Sequence, residues 1–297
     1  MDIFLECVLF VIGLVFGSFL NVCISRIPRD QSIIAPPSHC RMCGSPIRWY
    51  DNIPVVSWLQ LRGRCRDCRA RISLRYPVVE LLTATLFAAC FAFFGLSWLA
   101  LKFCIFCFLL VGLIFMDAET GFLPREFTYI GIALGLLSSW IAVTDSSGAE
   151  IVARAYGISR QITGRELSLL DSLLGAIVGA GFFYLAWALY FLVRKRHGMG
   201  FGDIALMAMS GAFLGLKLTL FVLFTAPLVG ALYAISQLAR NAARESAARR
   251  STDFNTSGST GEMFLAGELP FGVFLGTCSL AAIFAGETAW NWYLGLF

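Results

Sequence analysis

Charge is what this sequence has little of. Only 14% of its 297 residues are Asp, Glu, Lys or Arg, while 58% are hydrophobic. A soluble domain carries about 25% charged residues, so the deficit excludes an ordinary water-soluble enzyme and points to lipid as solvent. The first apolar run also lacks the marks of a cleaved signal. It opens Met1-Asp2-Ile3-Phe4-Leu5-Glu6, with no basic segment before it and no small-x-small cleavage site after it. It is expected to remain in the mature protein. Internal repeats of the kind that build many transporters are missing, and so is a Gly-rich nucleotide loop of the Rossmann type. The net charge of +4 requires no nucleic-acid partner, because membrane topology accounts for where the basic residues fall.

What the sequence does have is long apolar blocks. Spans are expected at about 3–23, 76–94, 98–116, 127–143, 172–193, 204–216, 218–238 and 271–290. Lipid leaves the backbone few ways to satisfy its polar groups, so the fold class is an all-α polytopic membrane protein of about eight transmembrane helices. The segment 204–216 is the weakest, since thirteen helical residues reach only about 20 Å. Numbering loops from an external N-terminus puts 24–75, 117–126, 194–203 and 239–270 on one side. These loops hold eighteen of the 23 basic residues, and ten of them are Arg in 24–75. The positive-inside rule makes that side cytoplasmic and the N-terminus periplasmic. The short sixth span is needed to keep Arg240, Arg244, Arg249 and Arg250 there. The organisation is then a first helix (1–24), a cytoplasmic insert (25–75) and the remaining membrane domain (76–297). Segment 144–171 is expected as an external loop, and the Ser/Thr/Gly-rich 251–262 as a linker.

The insert contains Cys40-Arg41-Met42-Cys43 and Cys65-Arg66-Asp67-Cys68, two CxxC pairs separated by 21 residues. Four thiolates satisfy a tetrahedral zinc ion. The segment is too short and polar to bury much of a core, which gives a metal staple a physical purpose. A reducing cytoplasm argues against disulfides. A redox pair or inert thiols are the alternatives, and His39 reads as a neighbour of the site. Cys104 and Cys107 repeat the CxxC spacing inside an apolar span, where free Cys packs as a small hydrophobe; Cys7, Cys23, Cys90 and Cys278 read the same way.

Two acids fall at the same face. Asp117 ends the third span and Asp203 begins the sixth, after Gly198-Met199-Gly200-Phe201-Gly202. Asp203 alone could be a helix N-cap. Asp117 is harder to dismiss, because a carboxylate at a helix C-terminus meets the negative end of the dipole. Glu119 and Glu126 lie further into the loop and read as solvated. Ionisable groups bordering a bilayer call for a functional explanation, and two opposed carboxyls suit aspartyl-type hydrolysis. On dipole grounds Asp203 would be the base and Asp117 the acid.

At these residues the sequence resembles the prepilin peptidase family, the type 4 prepilin leader peptidases. Gly200-Phe201-Gly202-Asp203 is similar to the GxGD signature of intramembrane aspartyl proteases. Gly17-Ser18-Phe19-Leu20-Asn21-Val22 through Arg26-Ile27-Pro28 resembles the family's N-terminal motif. Asp51-Asn52-Ile53-Pro54, Ser57-Trp58 and Leu61-Arg62-Gly63-Arg64-Cys65 resemble its insert. Arg75-Tyr76-Pro77 and Glu80-Leu81-Leu82 are similar to the start of its second span, and Leu269-Pro270-Phe271-Gly272 to the start of its last. The resemblance implies that Asp117 and Asp203 are catalytic and that Cys40, Cys43, Cys65 and Cys68 bind structural zinc. It implies cleavage of type IV prepilins or type II secretion pseudopilins after glycine, at the cytoplasmic face of a bacterial inner membrane. It also implies N-methylation of the new terminus with S-adenosylmethionine, for which the residues themselves offer no site. Three positions depart from the pattern: Arg125 follows Leu123-Pro124 where Asp is usual, Glu119 stands for Asp, and Val273 follows Pro270-Phe271-Gly272 where Pro is common.

Two rival classes fit parts of the same sequence. A transporter or channel would use acids at span ends and a broken sixth helix, but the expected map has no charged residue deep in a span. A zinc-bearing membrane scaffold would need the cysteines and not the two aspartates.

Overall fold

The computed structural model describes residues 2–143, 147–155, 163–195, 200–251 and 270–295. Its elements are α1 (Asp2–Arg26), α2 (Val56–Gln60), α3 (Arg75–Phe94), α4 (Trp98–Thr120), α5 (Arg125–Ile141), α6 (Ser147–Ala155), α7 (Gly164–Arg194), α8 (Phe201–Ser251) and α9 (Phe271–Leu294). Two isolated antiparallel bridges, His39 with Pro46 and Arg64 with Arg71, are the β-structure among the described residues. The chain is a multi-pass membrane protein. Six helices, α1, α3, α4, α7, α8 and α9, are long and apolar enough to cross a membrane. The other two expected spans are accounted for by α5, with 17 residues, and by a break in α8. At Gly215 the backbone turns to φ 76°, ψ 178°, which divides α8 into arms 201–214 and 216–251. Glycine is the residue that enters this conformation without steric cost.

Three boundaries differ from those expected. Helix α7 starts at Gly164 rather than 172, because Thr163 and Glu166 form a capping box that carries the helix beyond its apolar stretch. Helix α6 occupies part of the expected loop 144–171. The second arm of α8 runs to Ser251, through the expected loop around Arg240 and Arg244, since Ala and Arg there are strong helix formers. The expected linker 251–262, apart from Ser251, lies outside the described residues.

Small residues set the packing. On α1, Gly13 and Gly17 face α3 so closely that a Cβ would lie 2.6 Å from Ala84 Cα and 2.7 Å from Glu80 Cα. A Cβ on Gly211 of α8 would lie 2.3 Å from the Gly175 backbone of α7. Close backbone approach of this kind stands in for the hydrophobic drive that lipid does not supply. The core lies between α4 and α8, where Phe106 and Phe213 stack at 4.6 Å and Leu110, Leu113, Leu206, Met207 and Met209 are buried.

The core also holds charges near one end of the bundle. Lys102, in the second turn of α4, is 1% exposed and donates Nζ to Ser139 Oγ of α5 at 2.9 Å. Ser172 of α7 donates to the same hydroxyl at 2.6 Å. Neighbouring Asp171 is also 1% exposed. It accepts the Ala149 amide at 2.9 Å and, across the α8 break, the Leu216 amide at 3.2 Å. This network ties α4, α5, α6, α7 and α8 at the end of the bundle opposite Asp117.

Candidate active site

Asp117 lies in the last turn of α4, whose C-cap is Gly121 at φ 62°, with its N–H on the Asp117 carbonyl at 2.8 Å. Asp203 lies in the first turn of α8. The two come from helices of opposite direction, and both are buried, at 6% and 8% exposed. They are near enough for the charge of Asp117 to act on Asp203.

A third helix completes this arrangement. Val273, at the start of α9, donates its backbone N–H to Asp117 Oδ2 at 3.0 Å, and the Gly272 amide also contacts this carboxyl. The first N–H groups of a helix have no partner within it, so α9 aims its positive end at Asp117. On the other acid, the Asp203 carboxyl lies beside the Gly200 backbone, at the start of its own helix. Each aspartate therefore meets a helix N-terminus. The dipole argument for Asp203 as base and Asp117 as acid loses its footing, because it counted only the helix that each residue belongs to.

Leu123 packs against the glycine next to each acid. A Cβ on Gly202 would come within 2.7 Å of Leu123 Cβ, and one on Gly272 within 3.1 Å of Leu123 Cδ1 and 2.8 Å of Asp117 Oδ2. The glycines beside the two acids are thus sites of contact, with no room for a side chain. Gly198 and Met199 of the same loop lie outside the described residues, as does Leu269. Glu119 is exposed, as expected, but belongs to the last turn of α4 rather than to the loop, and Arg75 Nη1 meets its two carboxylate oxygens at 2.6 and 2.8 Å. Arg125 and Glu126 are exposed at the start of α5.

The insert reaches this end of the bundle through Glu80 of α3, 6% exposed, whose Oε2 accepts the Val55 amide at 2.7 Å. Of residues 27–74 only Ser57 and Gly63 are buried, so the segment has almost no core. Its four thiols gather instead. The sulfurs of Cys40, Cys43, Cys65 and Cys68 lie within 4.8 Å of one another, with Cys40 and Cys68 at 3.8 Å.

The two CxxC turns share one geometry. The Cys40 amide bonds Ser45 O at 2.9 Å and the Cys65 amide bonds Ala70 O at 2.8 Å. The residue after each second cysteine, Gly44 or Arg69, takes positive φ and returns its N–H to the carbonyl of the first. Hydrogen bonding with Ser45 draws the Cys43 thiol down to about 6, and the Cys68 and Asp67 amides lower Cys65. Cys68, although the Ala70 amide lowers it, is pushed up to about 12 by burial and by the other thiols. Four thiolates cannot coexist here without a cation. Zn–S bonds of about 2.3 Å place tetrahedral sulfurs about 3.8 Å apart, so the cluster can hold a metal. His39 turns away, its Nδ1 at 3.0 Å from Pro37 O.

The buried cysteines of the bundle behave as packing residues. Cys90 and Cys107 face each other at 3.9 Å between α3 and α4, and Cys23, Cys104 and Cys278 are buried too; Cys7 is exposed on α1. A cavity of about 620 Å³ between α1, α3 and α4 is lined by Leu9, Phe16, Phe87, Leu101, Phe108 and similar side chains. Its apolar wall has no carboxylate for a sulfonium and does not fit S-adenosylmethionine.

Comparison with known proteins places the chain. Residues 11–94 match the bacterial peptidase A24 N-terminal domain, and residues 104–235 match the type IV leader peptidase family. A prepilin leader peptidase/N-methyltransferase of Myxococcus xanthus is 40% identical across 77% of this chain, a match spanning 62% of that protein's length. The protein of the same name in Neisseria gonorrhoeae is 34% identical across 76% of this chain and 79% of its own. That of Aeromonas hydrophila is 31% identical across 96% of this chain and 92% of its own. No solved structure matches. With both halves matched and a relative aligned over nearly its whole length, this chain belongs to the prepilin leader peptidase family.

Proposed function

We propose that this chain removes the leader from type IV prepilins or type II secretion pseudopilins, cutting after glycine, with Asp117 and Asp203 as its catalytic pair. The observation that carries this reading is the convergence of two buried carboxyls, from α4 and α8, Asp117 held by the Val273 amide and Asp203 beside Gly200 at the start of its helix. A pair sharing one proton performs peptide hydrolysis without a metal. One carboxylate takes a proton from water as its oxygen adds to the scissile carbonyl carbon, and the other acid donates a proton to the carbonyl oxygen. Collapse of the gem-diol breaks the C–N bond, with the proton passing to the leaving amine. The Val273 amide holds the Asp117 carboxyl in place during both transfers.

The orientation belongs to the same proposal. Helix polarity puts the segments rich in Arg at the Asp117 end, so the positive-inside rule turns that end and the insert to the cytoplasm of a bacterial inner membrane and the N-terminus to the periplasm. Zinc on Cys40, Cys43, Cys65 and Cys68 is proposed as structural, because the insert lacks a core. N-methylation of the product, with S-adenosylmethionine as donor, rests on the names of the relatives. The transporter reading gains Lys102 and Asp171 as buried charges, yet these bond to neighbouring helices and occupy the end remote from the acids. Incubating purified protein with a prepilin and weighing the products tests the proposal: it predicts a leader ending in glycine and a shortened pilin, and an intact substrate contradicts it.

A further inference from the structure

The insert is fastened to the first turns of α3. Arg75 and Glu119 form an ion pair where α3 begins and α4 ends, which marks the level of the polar headgroups. Glu80 is five residues further along α3, about 7.5 Å deeper at 1.5 Å per residue. It is to this residue that the Val55 amide bonds. The segment around Val55 is therefore held against the first turns of the span by a carboxylate whose side chain reaches back toward the helix start.

Beside Val55 the insert presents apolar side chains with nothing over them. Ile53 is 45% exposed, Val56 44% and Leu59 62%, whereas Ser57, between the last two on α2, is buried. Val56 and Leu59 are three residues apart and so share a face of α2, which leaves Ser57 on the protein side. They have no core to enter, because the insert hardly has one. The surrounding charge has one dominant sign. Residues 25–74 contain nine Arg, no Lys and no Glu, against three Asp. Arg62, whose amide bonds the Leu59 carbonyl, and Arg64 are exposed next to this face. An apolar face held beside the first turns of a membrane span, flanked by exposed arginines, has the make-up of an interfacial membrane segment.

We propose that Ile53–Leu59 is seated in the bilayer interface, with Val56 and Leu59 against the upper acyl chains and Arg62 and Arg64 on anionic phospholipid headgroups. The insert is then a lid lying on the membrane beside the two aspartates rather than a domain free in solution. This rests on α3 as a membrane span and not on the peptidase reading.

The test uses the full chain with a photoreactive phenylalanine analogue at position 59, reconstituted in vesicles of equal phosphatidylcholine and phosphatidylglycerol. After irradiation, adducts are identified by mass spectrometry. Position 78, exposed on α3, serves as the lipid-facing control. The expected result is a lipid adduct at position 59 enriched several-fold in phosphatidylglycerol, with the enrichment lost in Arg62→Gln/Arg64→Gln. Adducts at 78 with none at 59, adducts at 59 to protein alone, or lipid adducts without headgroup preference would each overturn the proposal. Zinc content measured on the same samples shows that the insert is folded. The readout does not involve cleavage, so an inactive enzyme would leave it unchanged.

Discussion

Val273 donates its backbone N–H to Asp117 Oδ2 at 3.0 Å, a bond between residues 156 positions apart that brings the start of α9 to the end of α4. It makes α9, which carries neither acid, part of the site. The neighbouring Gly272 is in contact with the same oxygen, and a methyl group there would lie 2.8 Å from it. Gly272→Ala should therefore displace Asp117 or α9 and lower kcat by about a hundredfold, the scale of loss for a 1 Å misplacement. Steady-state cleavage of a prepilin, with zinc content as a control, checks this. A variant of unchanged kcat would mean that the close approach does not position Asp117.

The insert depends on its thiols in a way the bundle does not. Purified protein should carry about one zinc per chain, the stoichiometry of a four-ligand site. Cys40→Ser/Cys43→Ser should lose the metal and open residues 27–74 to protease while the helical circular dichroism persists. Metal analysis with limited proteolysis reads both, and a zinc-free protein with a resistant insert would remove the structural role.

The polar network at the far end should matter unequally among its members. Ser139→Ala removes one hydroxyl between membrane helices, a loss of about 0.6 kcal/mol. Lys102→Met removes the buried ammonium that donates to Ser139, a charged hydrogen bond worth about 2 kcal/mol. Thermal unfolding of the detergent-solubilised variants gives the order. Equal and small shifts would show that the Lys102 ammonium adds nothing to the stability of the bundle.

Much of this structure was legible in the sequence because lipid imposes a simple rule. Helices α1, α3, α4 and α9 follow the apolar blocks, and the gap between 204–216 and 218–238 anticipates the break at Gly215. The polar ends were harder to read. Thr163 and Glu166 extend α7, and helix-forming Ala and Arg extend α8, in segments whose hydropathy reads as loop. The buried charges escaped for a different reason. Lys102 and Asp171 sit near the ends of apolar runs, and the serines and backbone amides that satisfy them come from helices distant in sequence. At the candidate site the two aspartates and four cysteines were visible as residues. The α9 amides on Asp117, the Leu123 packing and the Glu80–Val55 link depend on tertiary contact, with only the Pro270-Phe271-Gly272 segment as a signal. That contact also offsets the difference in helix dipole from which the division of labour was inferred.

The central claim is that Asp117 and Asp203 together perform the hydrolysis. Asn keeps the shape of each side chain and loses the titrating proton, so Asp117→Asn and Asp203→Asn should insert, fold and bind zinc like the parent. The measurement is mass spectrometry of a prepilin after incubation with each purified variant. The account predicts intact prepilin with either variant, alongside complete removal of the leader by the parent chain. Cleavage at a rate near that of the parent by either one would contradict it.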